Sequence, residues 1–309
     1  MRIVFMGTPD FAVPSLDKIL QAGYEVTAVV TAPDRPAGRG RQLRPSPVKQ
    51  YALDHNLTVL QPEKLRDPAF HEQLRIAAPD LMVVVAFRML PEIVWSMPTI
   101  GTFNLHASLL PDYRGAAPIN WAIINGETRS GATTFLIDKE IDTGNILLQE
   151  TVEIPPQWDA GDLHDALMET GAGLVLQTVK GLEAGTLTAR PQDENLFVHK
   201  APKIFREDCE IHWDRPAKAI HNLIRGMSPY PAAWTAYGDE QIKVYASAIT
   251  DQATETVPGT VRITDGRMLV SCCDKWLEIL NLQMPGKKRM ATADFLRGFK
   301  GELQSFTAS

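Results

Sequence analysis

Three polar side chains between residues 103 and 144 could move protons or hold a negative oxygen: Asn104, His106 and Asp142. An imidazole can take up or release a proton near neutral pH. A side-chain amide can donate N–H groups to a developing oxyanion, and a carboxylate can fix an imidazole tautomer or accept a proton through water. No convincing nucleophilic serine or cysteine lies beside them, so the set favours direct transfer of a carbonyl carbon to an incoming amine.

The elements around these residues predict how they are positioned. Residues 101–106 form a predicted strand, on which Asn104 and His106 share one face because they are two positions apart. A loop with proline and glycine follows, which indicates the mouth of an open α/β sheet, where such folds bind ligands. A plain alternative is that His106 is a structural histidine, Asn104 a turn residue and Asp142 part of an ordinary Asp-Thr-Gly turn.

Length and composition narrow the class of protein. A chain of 309 residues is long enough for two domains. Its longest apolar run, residues 81–87, has the length of a strand and is far shorter than the ~20 residues needed to cross a bilayer. A first strand that begins at Ile3 leaves no room for a signal peptide. We expect a cytoplasmic protein with no membrane contact.

The three cysteines have neither the number nor the spacing of a disulfide framework or a zinc site. They are Cys209, Cys272 and Cys273. This usage is typical of a reducing compartment and predicts no metal site. The turn at Gly7 also lacks the G-x-G-x-x-G pattern, and no Walker A motif is present, so neither a dinucleotide nor a P-loop nucleotide is expected.

Apolar periodicity predicts an α/β first part of the chain. Near-continuous apolar strands alternate with amphipathic helices, which is typical of a mostly parallel sheet covered on both faces. The predicted strands are 2–6, 25–31, 57–60, 81–86, 101–106, 130–137 and 146–154, and the predicted helices are 11–22, 47–56, 68–78, 118–125 and 159–185.

The last third of the chain changes character. Residues 186–206 have little apolar periodicity and read as a linker. Beyond them, one helix at 216–225 precedes five short strands separated by Gly, Asp and Pro turns, which indicates a small barrel. The predicted division is a first domain at 1–188, a linker at 189–206 and a C-terminal domain at 207–309.

Positive charge is concentrated locally although the formal net charge is −6. One basic loop spans residues 34–49 and a second cluster follows Gly286. Local basic patches can bind a polyanion even on an acidic protein, although a solvated, disordered loop is an equal alternative for 34–49. The candidate anion-binding residues are Arg35, Arg39, Arg41, Arg44, Lys287 and Lys288.

Motifs along nearly the whole chain resemble the methionyl-tRNA formyltransferases, members of the 10-formyltetrahydrofolate-dependent formyltransferase family. The Asn, His and S-L-L-P run with a later D-T-G is common to that family, whereas the Arg-rich loop and P-Y-P-A-A-W are typical of its tRNA-directed branch. The matching stretches are G-T-P-D-F (7–11), D-R-P-A-G-R-G (34–40), P-S-P-V-K (45–49), V-V-V-A-F (83–87), N-L-H-A-S-L-L-P (104–111), Y-R-G-A-A-P-I (113–119), D-T-G (142–144) and P-Y-P-A-A-W (229–234).

The resemblance implies a Rossmann-like catalytic domain followed by an OB-like β-barrel that adds tRNA contact. It implies formyl transfer from 10-formyltetrahydrofolate to the α-amino group of methionyl initiator tRNA, without a covalent enzyme intermediate or a metal, for translation initiation. A monomer is expected. The residues implied are the catalytic trio Asn104, His106 and Asp142, the folate-binding segment Ser108, Leu109, Leu110 and Pro111, and the basic loop, with Arg39 as its principal tRNA reader.

One stretch departs from the family pattern. After Val85-Ala86 the family has an aromatic residue, then glycine, then several residues before Leu-Pro, whereas here Phe87-Arg88-Met89 leads directly into Leu90-Pro91. The alternatives left open are a formyltransferase acting on a nucleotide or sugar amine, a folate hydrolase and a non-catalytic RNA-binding module.

Overall fold

The computed structural model describes residues 1–37, 42–299, 301 and 303–307. In space the chain forms two compact units, and neither is contiguous in sequence. The first comprises Met1–Gly115, Arg129–Glu153 and His164–Lys200, and the second comprises Ala116–Thr128, Ile154–Leu163 and Ala201–Ser309.

The first unit is built on a seven-stranded sheet in the order β10-β9-β7-β6-β1-β2-β5. The strands from β7 to β5 in this order are parallel to one another. At the other side, β9 pairs antiparallel with β7, and β10 pairs antiparallel with β9. The strands of this part of the chain are β1 (Arg2–Gly7), β2 (Glu25–Val30), β3 (Arg35–Ala37), β4 (Gln42–Arg44), β5 (Val59–Leu60), β6 (Leu81–Val85), β7 (Gly101–His106), β8 (Arg114–Gly115), β9 (Arg129–Leu136) and β10 (Ile146–Glu153).

Two of the helices begin with an N-capping side chain that is followed by a proline. Ser46 and Asp67 accept N-terminal backbone N–H groups, and each is followed by a proline in the first turn. The helices are α1 (Val13–Gln21), α2 (Pro47–Asp54), α3 (Pro68–Ala77), α4 (Glu92–Trp95), α5 (Pro118–Ile124), α6 (Ala160–Glu183), α7 (Ala217–Met227) and α8 (Thr292–Gly298).

The mostly parallel α/β sheet confirms the predicted class of the first part, and its elements differ in detail from the prediction. The predicted helix 11–22 is a 3-10 turn at Asp10–Ala12 followed by α1, because Pro14 lacks the N–H that a preceding helical turn would require. The basic loop contains a short hairpin, β3 and β4, which was not predicted. Helices α4 and α8 were also missed, since neither is long enough to show a helical period.

The second unit contains an antiparallel sheet in the order β12-β13-β16-β15-β14, with β17 paired to β16. Residues 305 and 307 form bridges to Thr260 and Ala236, beside the two outer strands, and so the described C-terminal segment closes the sheet. This arrangement confirms the predicted barrel. Its strands are β12 (Ala233–Tyr237), β13 (Glu240–Ala253), β14 (Val261–Thr264), β15 (Arg267–Ser271), β16 (Lys275–Gln283) and β17 (Met290–Ala291), and the linker contains β11 (Lys200–Ala201).

Helix α7 and the inner faces of the barrel strands share one apolar core. Its largest buried members include Trp213, Ile224, Met268, Leu277 and Phe306. Within the described ranges, no helix combines the length and apolar character that a membrane crossing requires.

Candidate active site

His106 ends β7 with both ring nitrogens directed at neighbours. Its Nε2 lies 2.9 Å from the backbone carbonyl oxygen of Tyr113. Its Nδ1 lies 3.8 Å from Oδ2 of Asp142, and the two side chains retain only 7% and 14% of their exposure. The structure therefore brings two of the three predicted catalytic residues together at a place that is almost fully shielded from solvent.

The Tyr113 carbonyl determines the tautomer of the imidazole. A carbonyl oxygen can only accept, so Nε2 must carry the proton in the 2.9 Å bond. In the neutral ring Nδ1 is then an acceptor, and in the imidazolium form it is a donor directed at Asp142. The sequence had suggested that Asp142 fixes the tautomer; it missed the Tyr113 contact because a backbone carbonyl has no residue-type signature.

Asn104 shares the strand face of His106. The intervening residue, Leu105, points to the other face, where a Cβ added to Gly171 of α6 would lie 2.7 Å from its side chain. Within the described residues, no hydrogen-bond partner is recorded for the Asn104 side-chain amide. Its N–H groups are therefore available beside the imidazole, as an oxyanion donor requires.

Asp142 is held by backbone geometry. Its φ of 57° lies in the left-handed region, which aspartate tolerates better than most residues, and Oδ2 accepts the Gly115 N–H at 3.0 Å. Two residues later Gly144 is obligatory, since a Cβ there would overlap the Leu136 carbonyl oxygen. The D-T-G motif is thus a turn that also presents a carboxylate to the imidazole.

The segment Ser108–Pro111 follows His106 directly and is held by two residues that sequence reasoning missed. Thr133 of β9 accepts the Leu110 N–H at 3.1 Å and donates to the Ser108 carbonyl at 2.6 Å. Gln149 of β10 donates to the Leu110 carbonyl at 2.8 Å. These bonds fix the backbone of the segment, of which Ser108 and Leu110 are buried while Leu109 is partly exposed. Thr133 and Gln149 lie on the antiparallel strands, so only the sheet pairing reveals their role.

Arg88 anchors residues 87–91, the stretch in which the sequence departs from the family pattern. Arg88 donates to the carbonyl oxygens of Pro62 and Glu63 at 2.8 and 3.0 Å and packs against the Phe87 ring. Burial, with a further contribution from the charge of Arg35, lowers the pKa of Arg88. The arginine thus gives this loop contacts that a glycine could not make.

The predicted anion-binding residues fall into two separate places. Arg35 and Arg44 are directly opposite each other across the β3–β4 hairpin and both are exposed. Like charges in this position destabilise a strand pair, and the two guanidinium groups together concentrate positive charge on the hairpin. Lys49, at the end of the loop, is instead paired with Asp34 at 2.6 Å, and this contact lowers the pKa of Asp34. Lys287 and Lys288 lie exposed in the turn between β16 and β17, whereas Arg39 and Arg41 lie outside the described residues.

The titratable residues offer no ready metal centre where the chain is described. No group of three or more His, Cys, Asp or Glu side chains there could hold a metal ion. Cys209 and Cys272 are buried free thiols and Cys273 is an exposed one.

The chain thus combines a mostly parallel α/β sheet, with polar side chains at the carboxyl end of β7, and an antiparallel barrel. The family model for formyl transferase matches residues 1–179, and that for the formyl transferase C-terminal domain matches residues 203–300. The chain belongs to the formyl transferase family.

Curated relatives cover nearly the whole chain. The methionyl-tRNA formyltransferase of Bacteroides fragilis is 49% identical over 309 residues, which is 97% of this chain and 95% of the relative. That of Parabacteroides distasonis is 51% identical over 312 residues, covering 97% and 96%. Among solved structures, WlaRD, a sugar 3N-formyl transferase studied with dTDP and 5-N-formyl-THF, superposes with a TM-score of 0.69 at 21% identity, covering 93% of this chain and 99% of that one. This last likeness shows a shared fold.

Proposed function

We propose that this protein transfers a formyl group from 10-formyltetrahydrofolate to the α-amino group of methionine on initiator tRNA, for translation initiation. The observation that carries the proposal is the buried His106–Asp142 pair, 3.8 Å apart, at the end of the strand that also presents Asn104. Relatives at about half identity over 97% of the chain, all named methionyl-tRNA formyltransferase, support this substrate pair.

The residues present fit a folate formyl donor. The Asn104 amide can donate to the formyl oxygen as negative charge develops there, and the ordered backbone of Ser108–Pro111 lies next to it in the chain as a wall for the co-substrate. The folate supplies the formyl carbon on a nitrogen that is already activated as a leaving group, so the proposal includes no metal.

Proton movement is assigned to the imidazole and the carboxylate. The amine nitrogen forms a bond to the formyl carbon and loses one proton, and the folate nitrogen gains one proton as its bond to that carbon breaks. Because Nε2–H is committed to Tyr113, His106 as an imidazolium uses Nδ1 to donate a hydrogen bond to the oxygen of the tetrahedral intermediate, and Asp142 orients the ring. Asp142 helps accept the proton that the amine releases and then aids protonation of the folate nitrogen, so the enzyme ends each cycle in its starting protonation state.

Recognition of tRNA is assigned to the basic residues. The opposed Arg35 and Arg44 support binding of phosphates, and Arg39, Arg41, Lys287 and Lys288 complete the proposed set. We assign residues 1–188 to the chemistry, 189–206 to the linker and 207–309 to additional tRNA contact, in a monomeric cytoplasmic enzyme.

A single-turnover formylation assay tests the proposal. Asn104→Ala, His106→Ala and Asp142→Ala should each slow formylation of charged initiator tRNA by about 10²-fold or more, whereas Gln21→Ala, at an exposed position on α1, should be unaffected. Near-normal rates in the first three variants would refute the assignment of the catalytic trio. Faster formylation of a sugar or nucleotide amine than of charged initiator tRNA would instead refute the acceptor.

A further inference from the structure

The segment between the two family models reaches back to the aspartate loop. Residues 180–202 lie between the matched ranges, and Gln192 within them is partly buried. Its Nε2 donates to the backbone carbonyl oxygen of Asp142 at 2.8 Å and to that of Gly144 at 2.9 Å. Both protons of the amide are therefore used on either side of Thr143.

The other end of the same amide is fixed by an arginine. Oε1 of Gln192 accepts from Nε and Nη2 of Arg114 at 3.1 and 2.6 Å. Arg114 is itself held by Glu194 and by the face of Phe197, whose centroid lies 5.2 Å away. Two donors and a doubly accepting oxygen satisfy the glutamine amide completely, so its orientation is determined.

Two features of the loop that Gln192 contacts indicate that neighbouring residues must hold it in place. Asp142 is in the sparsely populated left-handed region at φ 57°, which aspartate tolerates at a modest cost, so neighbouring contacts help to keep it there. Its carboxylate must also stay on the imidazole of His106, and a displacement of about 1 Å at a reacting group can cost about 10²-fold in rate. Gly115 N–H holds the carboxylate, and Gln192 holds the backbone.

We propose that Gln192, oriented by Arg114, is a positioning residue that holds the Asp142 carboxylate against His106. The inference rests on the proposed function and deepens it, because it gives part of the linker a role in the chemical step. Gln192 touches only the backbone of the loop, so it acts on the rate through Asp142 and has no direct part in substrate binding.

Two substitutions separate hydrogen bonding from packing. Gln192→Ala removes the amide, and Gln192→Glu keeps its size but replaces the two donors by an oxygen that repels both carbonyls. We expect kcat to fall about 10–100-fold in both variants while KM for each substrate changes less than about threefold. Gln21→Ala is the matched control, and thermal unfolding establishes that each variant is folded.

A double-mutant cycle with Asp142→Ala provides the decisive readout. If Gln192 acts through Asp142, Gln192→Glu should lower kcat by less than about twofold in the Asp142→Ala background. A wild-type kcat in Gln192→Glu would overturn the proposal. It would also be overturned if Gln192→Glu lowered kcat by the same factor in the Asp142→Ala background as in the wild type. The proposed function fails separately, through normal rates in Asn104→Ala and Asp142→Ala themselves.

Discussion

At the scale of single residues, the site combines side chains that differ in how firmly neighbouring groups hold their orientation. The His106 ring is fixed at Nε2 by the Tyr113 carbonyl and faces Asp142 with Nδ1. Asn104 is held only by its strand, since no hydrogen bond to its amide is recorded within the described residues. The imidazole thus has a defined tautomer in its neutral form, whereas the amide can turn toward a substrate oxygen.

The Asn104 amide gives a sharp test of oxyanion stabilisation. Asn104→Asp keeps the size of the side chain and removes both donors, so we predict a fall in kcat of about 10²–10³-fold with little change in KM for either substrate. Steady-state formylation kinetics with charged initiator tRNA measure this. An Asn104→Asp variant with undiminished kcat would assign Asn104 a structural role.

At the scale of elements, the strands of the first unit and helix α7 of the second illustrate two uses of polar groups. On β7, β9 and β10 the side chains of His106, Thr133 and Gln149 organise the segment that follows the strand. On α7 a half-buried histidine serves packing instead: His221 bonds to the Ser247 hydroxyl of β13 at 3.0 Å. Burial, reinforced by the charge of Arg225, lowers the pKa of His221 to about 4.

This shift predicts a pH dependence of stability. In the unfolded chain His221 binds a proton below about pH 6.5, but in the folded protein only below about 4. Between these values the unfolded state holds more protons, so the free energy of unfolding rises with pH, reaching its full value above about 6.5.

The variant His221→Asn should lose part of that dependence. We expect the wild type to lose about 1–2 kcal/mol more stability than the variant between pH 7 and pH 4.5, allowing for partial solvent exposure of the ring. Denaturant unfolding at both pH values measures the difference, with the exposed His212→Asn as the control. Equal losses in wild type and His221→Asn would contradict the assignment.

At the scale of the whole molecule, the distribution of charge affects the binding of a polyanion. The chain carries a formal net charge of −6, yet two local clusters of basic residues lie on the β3–β4 hairpin and on the turn after β16. Local positive charge on an acidic protein makes the binding of a polyanion sensitive to salt. Arg35 and Arg44 on the hairpin, and Lys287 and Lys288 on the turn, are the described members of the proposed tRNA-binding set.

Salt dependence should therefore separate phosphate contact from chemistry. Arg44→Ala should raise KM for charged initiator tRNA several-fold, lower the magnitude of the slope of log affinity against log salt by about 1, and leave folate KM unchanged. Titrations at several salt concentrations test this, with the exposed Arg75→Ala on α3 as the control. An unchanged slope in Arg44→Ala would show that the hairpin does not contact tRNA.

Much of this protein follows from its sequence. Strong apolar periodicity determined the parallel sheet, the long helix α6 and the barrel strands, because burial on one or both faces leaves a repeating pattern. Spacing placed Asn104 and His106 on one face of β7, since alternation along a strand is local geometry. The short helices, the hairpin within the basic loop and the closure of the barrel by residues 305 and 307 left no such pattern.

Only the tertiary structure decided which groups meet. The 3.8 Å approach of Asp142 to His106 joins residues 36 positions apart, and the bonds from Gln192 to the Asp142 loop span 50 and 48 positions. The acceptor that sets the imidazole tautomer is a backbone carbonyl, which every residue has. Side-chain types therefore determined which chemistry was available, while chain folding alone determined the contacts that orient it.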